Sequence, residues 1–206
     1  MNRRLGVLIS GRGSNLQSLI DAIRRGDLGA RIAVVISNRP EAAGLLRARE
    51  AGIETLCLRP RDYADRDAYD QALADALRAR EVDLVCLAGF MRLIGTPLLS
   101  AFPNRILNIH PSLLPSFPGL DAQKQALDYG VKIAGATVHI VTAELDGGPI
   151  IVQAAVPVLP DDTEATLAAR ILVEEHKLYP RAVGLMLSGN WSIEGRRLVP
   201  VPKVTT

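Results

Sequence analysis

An amide and an imidazole stand close together at the end of an apolar segment, Ile106-Leu107-Asn108-Ile109-His110. If this segment is a β-strand, Asn108 and His110 project from the same face, because side chains alternate along a strand. Both groups can donate a hydrogen bond to a developing oxyanion, and an imidazole can also move a proton near neutral pH. A lone strand histidine is more often a core residue, but the neighbouring amide and the proline that follows favour a catalytic pair.

A carboxylate further along the chain could complete this pair. Asp146 lies in the sequence Leu145-Asp146-Gly147-Gly148, between two β-rich segments. Asp-Gly in such a place is also a hairpin turn signal, so spacing alone leaves both interpretations open. If the turn folds over His110, the Asp146 carboxylate would hold the imidazole in one orientation and favour its protonated form.

A glycine loop near the start of the chain, SGRGSN at residues 10–15, could bind an anion. It separates an apolar segment from residues with helical spacing, so backbone N–H groups at the helix start would face a phosphate. The alternative is an ordinary glycine turn with a Ser/Asn cap. The third glycine of the dinucleotide fingerprint and its acidic partner are missing, which disfavours a nicotinamide oxidoreductase.

The remaining candidates are weaker. The histidines His110, His139 and His176 have neither metal-ligand spacing nor a cysteine partner, so no metal site is predicted. His139 alternates with Thr137 and is either a core residue or a neighbour of the site, whereas His176 is expected at the surface or its boundary. Arg92 follows a buried strand and could meet a carboxylate, although an exposed loop arginine is the default interpretation.

Alternating strands and helices must position these residues. Apolar runs predict strands at 5–9, 31–36, 53–58, 82–88 and 106–110, and helical spacing predicts helices from residue 16, at 41–51 and at about 64–80. This order predicts an α/β fold, Rossmann-like, with a mostly parallel sheet and helices on both faces. The C-terminal part predicts antiparallel strands at 135–142 and 149–156, a long helix at 163–187 and a short strand pair. Without a linker or repeat, a single domain over residues 1–206 is expected.

Composition excludes several protein classes. The chain has 206 residues, 48% hydrophobic and 4% aromatic, which excludes a disordered or fibrous protein and indicates an aliphatic core. Its 24 Lys and Arg against 22 Asp and Glu form no basic tract, so no nucleic-acid partner is expected. Neither a signal segment nor a membrane span is predicted, which favours a cytoplasmic protein. Cys57 and Cys86 lie in apolar segments and are expected to be buried thiols.

Five segments together resemble the phosphoribosylglycinamide formyltransferase family, folate-dependent enzymes of purine synthesis. They are SGRGSNLQ (10–17), LAGFMRL (87–93), ILNIHPSLLPSFPG (106–119), GATVHIV (135–141) and ELDGGPII (144–151). NIHPSLLP by itself is less specific, because it is similar to a motif shared by the wider family that uses 10-formyltetrahydrofolate, including methionyl-tRNA formyltransferase and formyltetrahydrofolate hydrolase. SGxGSN is the mark of the glycinamide ribonucleotide enzyme. Asp121 departs from the pattern, since many members have histidine there.

The resemblance implies transfer of a formyl group from 10-formyltetrahydrofolate, a co-substrate, to the amine of 5-phosphoribosylglycinamide. It implies a catalytic trio of Asn108, His110 and Asp146. The substrate-binding residues that it implies are Gly13, Ser14, Asn15, Leu172, Val173, Glu174 and Glu175. The folate-binding residues that it implies are Arg66, Met91, Arg92, Leu93, Ile94 and Asn108, and Thr137 and His139 would lie behind the catalytic residues.

Two other functions stay open. A formyltetrahydrofolate hydrolase would pass the formyl group to water and would not need the amine. A non-catalytic Rossmann-like module would bind a nucleotide through the glycine loop, whatever residue stood at position 110. Small-molecule substrates are the expected partners, with no membrane partner, in a monomer or a homodimer.

Overall fold

The computed structural model describes residues 3–201. The chain divides between Asn108 and Ile109 into two compact units. The organisation as a single domain over residues 1–206 stays a prediction. Among residues 3–201, no helix combines the length and the apolar character that crossing a membrane requires.

The first unit alternates strands and helices. Its elements are β1 (Arg3–Ile9), α1 (Ser14–Arg24), β2 (Ala30–Ser37), α2 (Ala43–Glu50), β3 (Thr55–Cys57), a 3-10 turn (Pro60–Asp62), α3 (Arg66–Arg78), β4 (Leu84–Leu87), α4 (Thr96–Ala101) and β5 (Ile106–His110), whose last two residues belong to the second unit. The strands follow the order β3-β2-β1-β4-β5, and every pair is parallel. The predicted parallel α/β sheet is confirmed.

Burial of the central strands explains their continuous apolar sequences. β1 is buried from Leu5 to Ile9, and β4 is buried over its whole length. A parallel strand covered by helices on both faces has no polar side, which is why these strands do not alternate. Because the strands are parallel, the carboxyl ends of β1 and β4 lie at one edge of the sheet, where ligands bind in open α/β folds.

The second unit is built on antiparallel pairing. It contains α5 (Ala122–Tyr129), β6 (Ile133–Ile140), β7 (Ile150–Pro157), α6 (Glu164–Ser188), β8 (Trp191–Glu194) and β9 (Arg197–Pro200). β6 pairs antiparallel with β7, with a register shift between Val138 and His139, and β8 pairs antiparallel with β9. α6 packs on β6 and β7. The antiparallel C-terminal strands and the long helix are therefore confirmed.

Two features differ from the sequence predictions. The helices α4 and α5 have no counterpart among the predicted elements. Cys86 is buried as expected, but Cys57 is exposed, so the prediction of a buried thiol is wrong there. Cys57 ends β3, a strand of three residues that lies at the edge of the sheet formed by residues 3–201.

Candidate functional site

In the second unit, one carboxylate lies between two imidazoles. Asp146 Oδ2 lies 3.5 Å from His110 Nδ1, and Asp146 Oδ1 lies 3.5 Å from His139 Nε2. The three side chains are 8%, 6% and 2% exposed, respectively. Asp146 lies in the β6–β7 connection with a φ of 49°, and this left-handed backbone turns its side chain back onto the histidines. The connection is thus a hairpin loop whose carboxylate faces His110.

The surroundings of Asp146 favour its ionised form. Burial alone would raise the pKa of Asp146, but hydrogen bonds from His139 and from the Gly119 N–H, with the positive potential of His110, outweigh it and hold the pKa below its ordinary value. The Gly119 nitrogen lies 2.8 Å from Asp146 Oδ2. Asp146 is therefore a carboxylate at neutral pH, and it can accept from both imidazoles.

His110 has an acceptor at each ring nitrogen. Its Nε2 lies 2.8 Å from the Phe117 carbonyl oxygen, and its Nδ1 faces Asp146. His139 is held in a similar way, since its Nδ1 lies 3.0 Å from the Ile140 carbonyl oxygen. Each of the two imidazoles therefore has an oxygen acceptor facing both of its ring nitrogens.

Thr137 fixes the chain that follows His110. Its hydroxyl donates to the Ser112 carbonyl at 2.7 Å and accepts from the Leu114 N–H at 3.1 Å. Gln153 Nε2 donates at 2.9 Å to both the Leu114 carbonyl and the Thr137 hydroxyl. No local sequence signal marks Gln153, because its role follows from its pairing with Thr137 across β6 and β7.

In the first unit, the glycine loop packs against the start of α2. Gly13 caps α1 with a φ of 71°, and a Cβ there would lie 2.7 Å from Gly44 Cα. The Gly44 N–H donates to the Gly11 carbonyl at 3.0 Å, and Arg47 Nε donates to the Arg12 carbonyl at 3.0 Å. Within the described chain no side chain caps α1, since Ser14 begins the helix itself. The first-turn N–H groups therefore suit an anion.

The segment after β4 lies beside α3. Its Met91 N–H donates to Ser10 Oγ at 2.8 Å. The Arg92 guanidinium carbon lies 5.3 Å from the ring centroid of Tyr69, so this arginine has an aromatic partner although it is exposed. Met91 and Leu93 are 63% and 60% exposed, whereas Ile94 is buried. Arg66 begins α3, and its side chain is about half exposed.

The other candidates lie on two separate elements. Asn108 is half-buried on β5, where it is in register with Leu87 of β4. On α6, Leu172, Val173, Glu174 and Glu175 occupy one turn. Glu175 is buried, Val173 is exposed, and Glu174 accepts from Lys177 Nζ at 2.7 Å. His176 is half-buried, at the boundary that its sequence predicts.

The structure thus assembles the predicted residues in groups. His110, Asp146, His139 and Thr137 lie together in the second unit. The glycine loop follows β1, and the segment at 91–94 follows β4, the neighbouring strand in the first unit. Among residues 3–201, no group of three or more metal-ligating side chains is placed to hold an ion.

Comparison with known proteins gives consistent matches. A family model described as formyl transferase matches residues 3–183. The phosphoribosylglycinamide formyltransferase of Escherichia coli (strain K12) is 44% identical over 202 residues, which cover 94% of this chain and 95% of that protein. The trifunctional purine biosynthetic protein adenosine-3 of Drosophila melanogaster is 52% identical over 189 residues, which cover 91% of this chain. This chain spans only 14% of the length of that relative.

A solved structure matches over almost the whole chain. The crystal structure of glycinamide ribonucleotide transformylase 1 from Symbiobacterium toebii superimposes with a TM-score of 0.96 at 59% sequence identity, and the match covers 98% of this chain and 95% of that one.

Proposed function

Because this chain belongs to the formyl transferase family, we propose that it transfers a formyl group from 10-formyltetrahydrofolate to the amine of 5-phosphoribosylglycinamide. The observation that carries the proposal is the buried Asp146 carboxylate facing His110, at the end of the strand that bears Asn108. A direct transfer of this kind needs hydrogen-bond donors for an oxyanion and a group that moves a proton. It needs no nucleophilic side chain.

In the proposed reaction the amine nitrogen attacks the formyl carbon, and the carbonyl oxygen becomes an oxyanion. The Asn108 amide and a protonated His110 donate to that oxygen. The His110 Nε2, which donates to the Phe117 carbonyl in this structure, would exchange this acceptor for the formyl oxygen. Asp146, ionised and held by the Gly119 N–H, keeps the imidazole oriented.

Collapse of the intermediate breaks the bond between the formyl carbon and the folate nitrogen. The proton that the amine loses is delivered to that nitrogen, with His110 and Asp146 as the groups that relay it, directly or through water. No covalent enzyme intermediate forms, so atoms and charge balance within the two substrates.

Binding of the two substrates follows from the other groups. The substrate phosphate would lie against Gly13, Ser14 and Asn15 at the start of α1, where the N–H groups and the helix dipole favour an anion. Leu172, Val173, Glu174 and Glu175 of α6 would contact the same substrate.

The folate would lie against Arg66 and residues 91–94. A folate carries both an apolar ring system and carboxylates, which suit exposed apolar side chains beside guanidinium groups. The chain would act on these two small molecules in the cytoplasm, as a monomer or a homodimer.

The test is the amine-dependent release of deformylated folate, followed by absorbance with 10-formyl-5,8-dideazafolate as donor. Turnover should require 5-phosphoribosylglycinamide, and His110→Ala should lower kcat by about a hundredfold or more. Turnover without the amine would instead identify a formyltetrahydrofolate hydrolase. No turnover, with phosphate-ligand binding unaffected by His110→Ala, would identify a non-catalytic binding module.

A further inference from the structure

The segment at 91–95 presents apolar side chains to water on a backbone that is fixed at both ends. Met91 and Leu93 are among its exposed side chains. At one end the Met91 N–H donates to Ser10 Oγ, and at the other the Gly95 N–H donates to Asp70 Oδ2 at 2.5 Å. Ser10 and Asp70 are both buried, at 4% and 1% exposure. A rigid backbone with exposed apolar side chains is the arrangement of a preformed binding surface.

Asp70 also reaches the arginine beside this segment. Its Oδ2 atom lies 4.0 Å from Arg66 Nε, one turn earlier on α3. A Cβ at Gly95 would lie 2.7 Å from Asp70 Oδ2 and 3.3 Å from Arg66 Nε, so the approach of the three groups requires glycine at this position. One buried carboxylate therefore joins the segment at 91–95 to Arg66.

The buried environment of Asp70 disfavours an ionised carboxylate, which argues that the side chain does more than fill space. Burial raises the pKa of Asp70, and the Gly95 N–H, Arg66 and Arg92 only partly oppose this effect. An apolar side chain would fill the same volume without desolvating a charge. It could neither accept the hydrogen bond from the Gly95 N–H nor attract Arg66.

We propose that Asp70 is a positioning residue for the folate site: its carboxylate fixes the backbone of the segment at 91–95 and orients Arg66 toward a carboxylate of the ligand. This inference rests on the proposed formyl transfer and on the assignment of Arg66 and residues 91–94 to the folate. Asp70 touches neither substrate. Ser10 anchors the other end of the same segment in the same way.

The test compares Asp70→Asn and Asp70→Ala with Asp75→Asn, a matched control on the exposed face of α3. Asp70→Ala removes both contacts and should raise the KM for the formyl-folate by about tenfold or more, since a hydrogen bond to a charged group is lost. Asp70→Asn keeps an acceptor for Gly95 but loses the charge, so its KM should rise less. The KM for the amine substrate should stay unchanged, and kcat should stay within about threefold of wild type, because Asp70 is not among the residues proposed to act in the transfer step.

A general loss of structure would act differently, since it would lower kcat or raise both KM values. Circular dichroism and thermal unfolding establish which variants are folded, and Asp70→Asn decides alone if Asp70→Ala does not fold. Ser10→Ala should raise the same KM as Asp70→Ala. The proposal is overturned if folded Asp70 variants bind the formyl-folate within twofold of wild type, or if both KM values rise together.

Failure of the proposed reaction would look different again. A wild-type protein that releases no deformylated folate in the presence of the amine refutes formyl transfer, whatever the variants do. In that case, calorimetric binding of 5,8-dideazafolate to wild type and to the Asp70 variants still decides the positioning role.

Discussion

Replacement of Asp146 by asparagine tests the central cluster most directly. Asparagine keeps the size of the side chain but removes its charge and one of its two acceptor oxygens. Three groups converge on this carboxylate: the Gly119 N–H and His139, which donate hydrogen bonds, and His110, whose Nδ1 lies 3.5 Å away. A single amide oxygen cannot serve all three, and the amide NH2 must face at least one of them.

The expected loss follows from the contacts that asparagine cannot make. Each charge-assisted hydrogen bond contributes about 1.5–3 kcal/mol, so two such interactions are worth about 3–6 kcal/mol. If they act in the transition state, kcat falls by about 10²-fold to 10⁴-fold, because 1.36 kcal/mol corresponds to a factor of ten. The KM values should change little, since the proposed reaction assigns substrate binding to the glycine loop and to the segment after β4 and gives Asp146 no part in it.

The assay is the amine-dependent release of deformylated folate at saturating substrates, at neutral pH. Glu144→Gln is the matched control, because Glu144 lies in the same loop, is 71% exposed and undergoes the same change of charge. It should keep wild-type kcat. A folded Asp146→Asn protein with kcat within about threefold of wild type would refute the assignment of Asp146 and the orientation that it gives to His110.

Three further predictions concern stability and substrate binding. The effect of burial on the pKa of Asp146 is outweighed by its hydrogen bonds and by the histidine charge, so the pKa in the folded protein lies below the ordinary 3.8. The contribution of the Asp146 carboxylate to stability is therefore complete above pH 3.8 and is lost as the pH falls through the folded pKa. In urea unfolding, the difference in free energy between wild type and Asp146→Asn should narrow as the pH is lowered from about 5 to 3. Gly13→Ala should lower the free energy of unfolding by about 1–3 kcal/mol and raise the KM for the amine substrate, because the φ of Gly13 is 71° and an added Cβ would meet Gly44. The control Gly26→Ala, at a φ of 80° with open space around the added Cβ, should leave that KM unchanged. Thr163→Ala removes the side-chain cap of α6 and should lower the free energy of unfolding by about 1 kcal/mol, measured by thermal denaturation, without changing either KM.

Local patterns predicted the long elements of the fold well. The apolar run that becomes β1 and the periodicity that becomes α6 each carry their signal within one segment. α5 lacks such a signal, because it buries only Ala122 and Ala126 and begins after Asp121 in a left-handed conformation. α4 has six residues and buries only Leu98, so no periodicity can develop over its length.

For the candidate site, a rule of local geometry applies only within one element. Alternation along β5 predicts that Asn108 and His110 share a face, and this pairing stays a prediction. The direction of the Asp146 side chain could not be predicted, because the same Asp-Gly sequence is found in an ordinary hairpin turn and in a loop whose carboxylate faces a histidine. Asp70 had a signal that was missed: it stands in the buried stripe of α3 with Leu73 and Leu77, where a carboxylate is out of place.

Because Gly13 and Gly44 pack closely together, the conformation of the glycine loop depends on the first turn of α2 as well as on its own sequence. A Cβ at Gly44 would lie 2.6 Å from Ile9 Cδ1 and 3.1 Å from Gly13 Cα, so neither glycine accepts a larger residue while the other keeps its place. A mutational scan would group Gly44 with the SGRGSN segment, although it lies on another helix and outside the motif. A graft of this loop onto another scaffold must therefore include the first turn of α2, because Gly44 packs against Gly13 and its N–H donates to the Gly11 carbonyl.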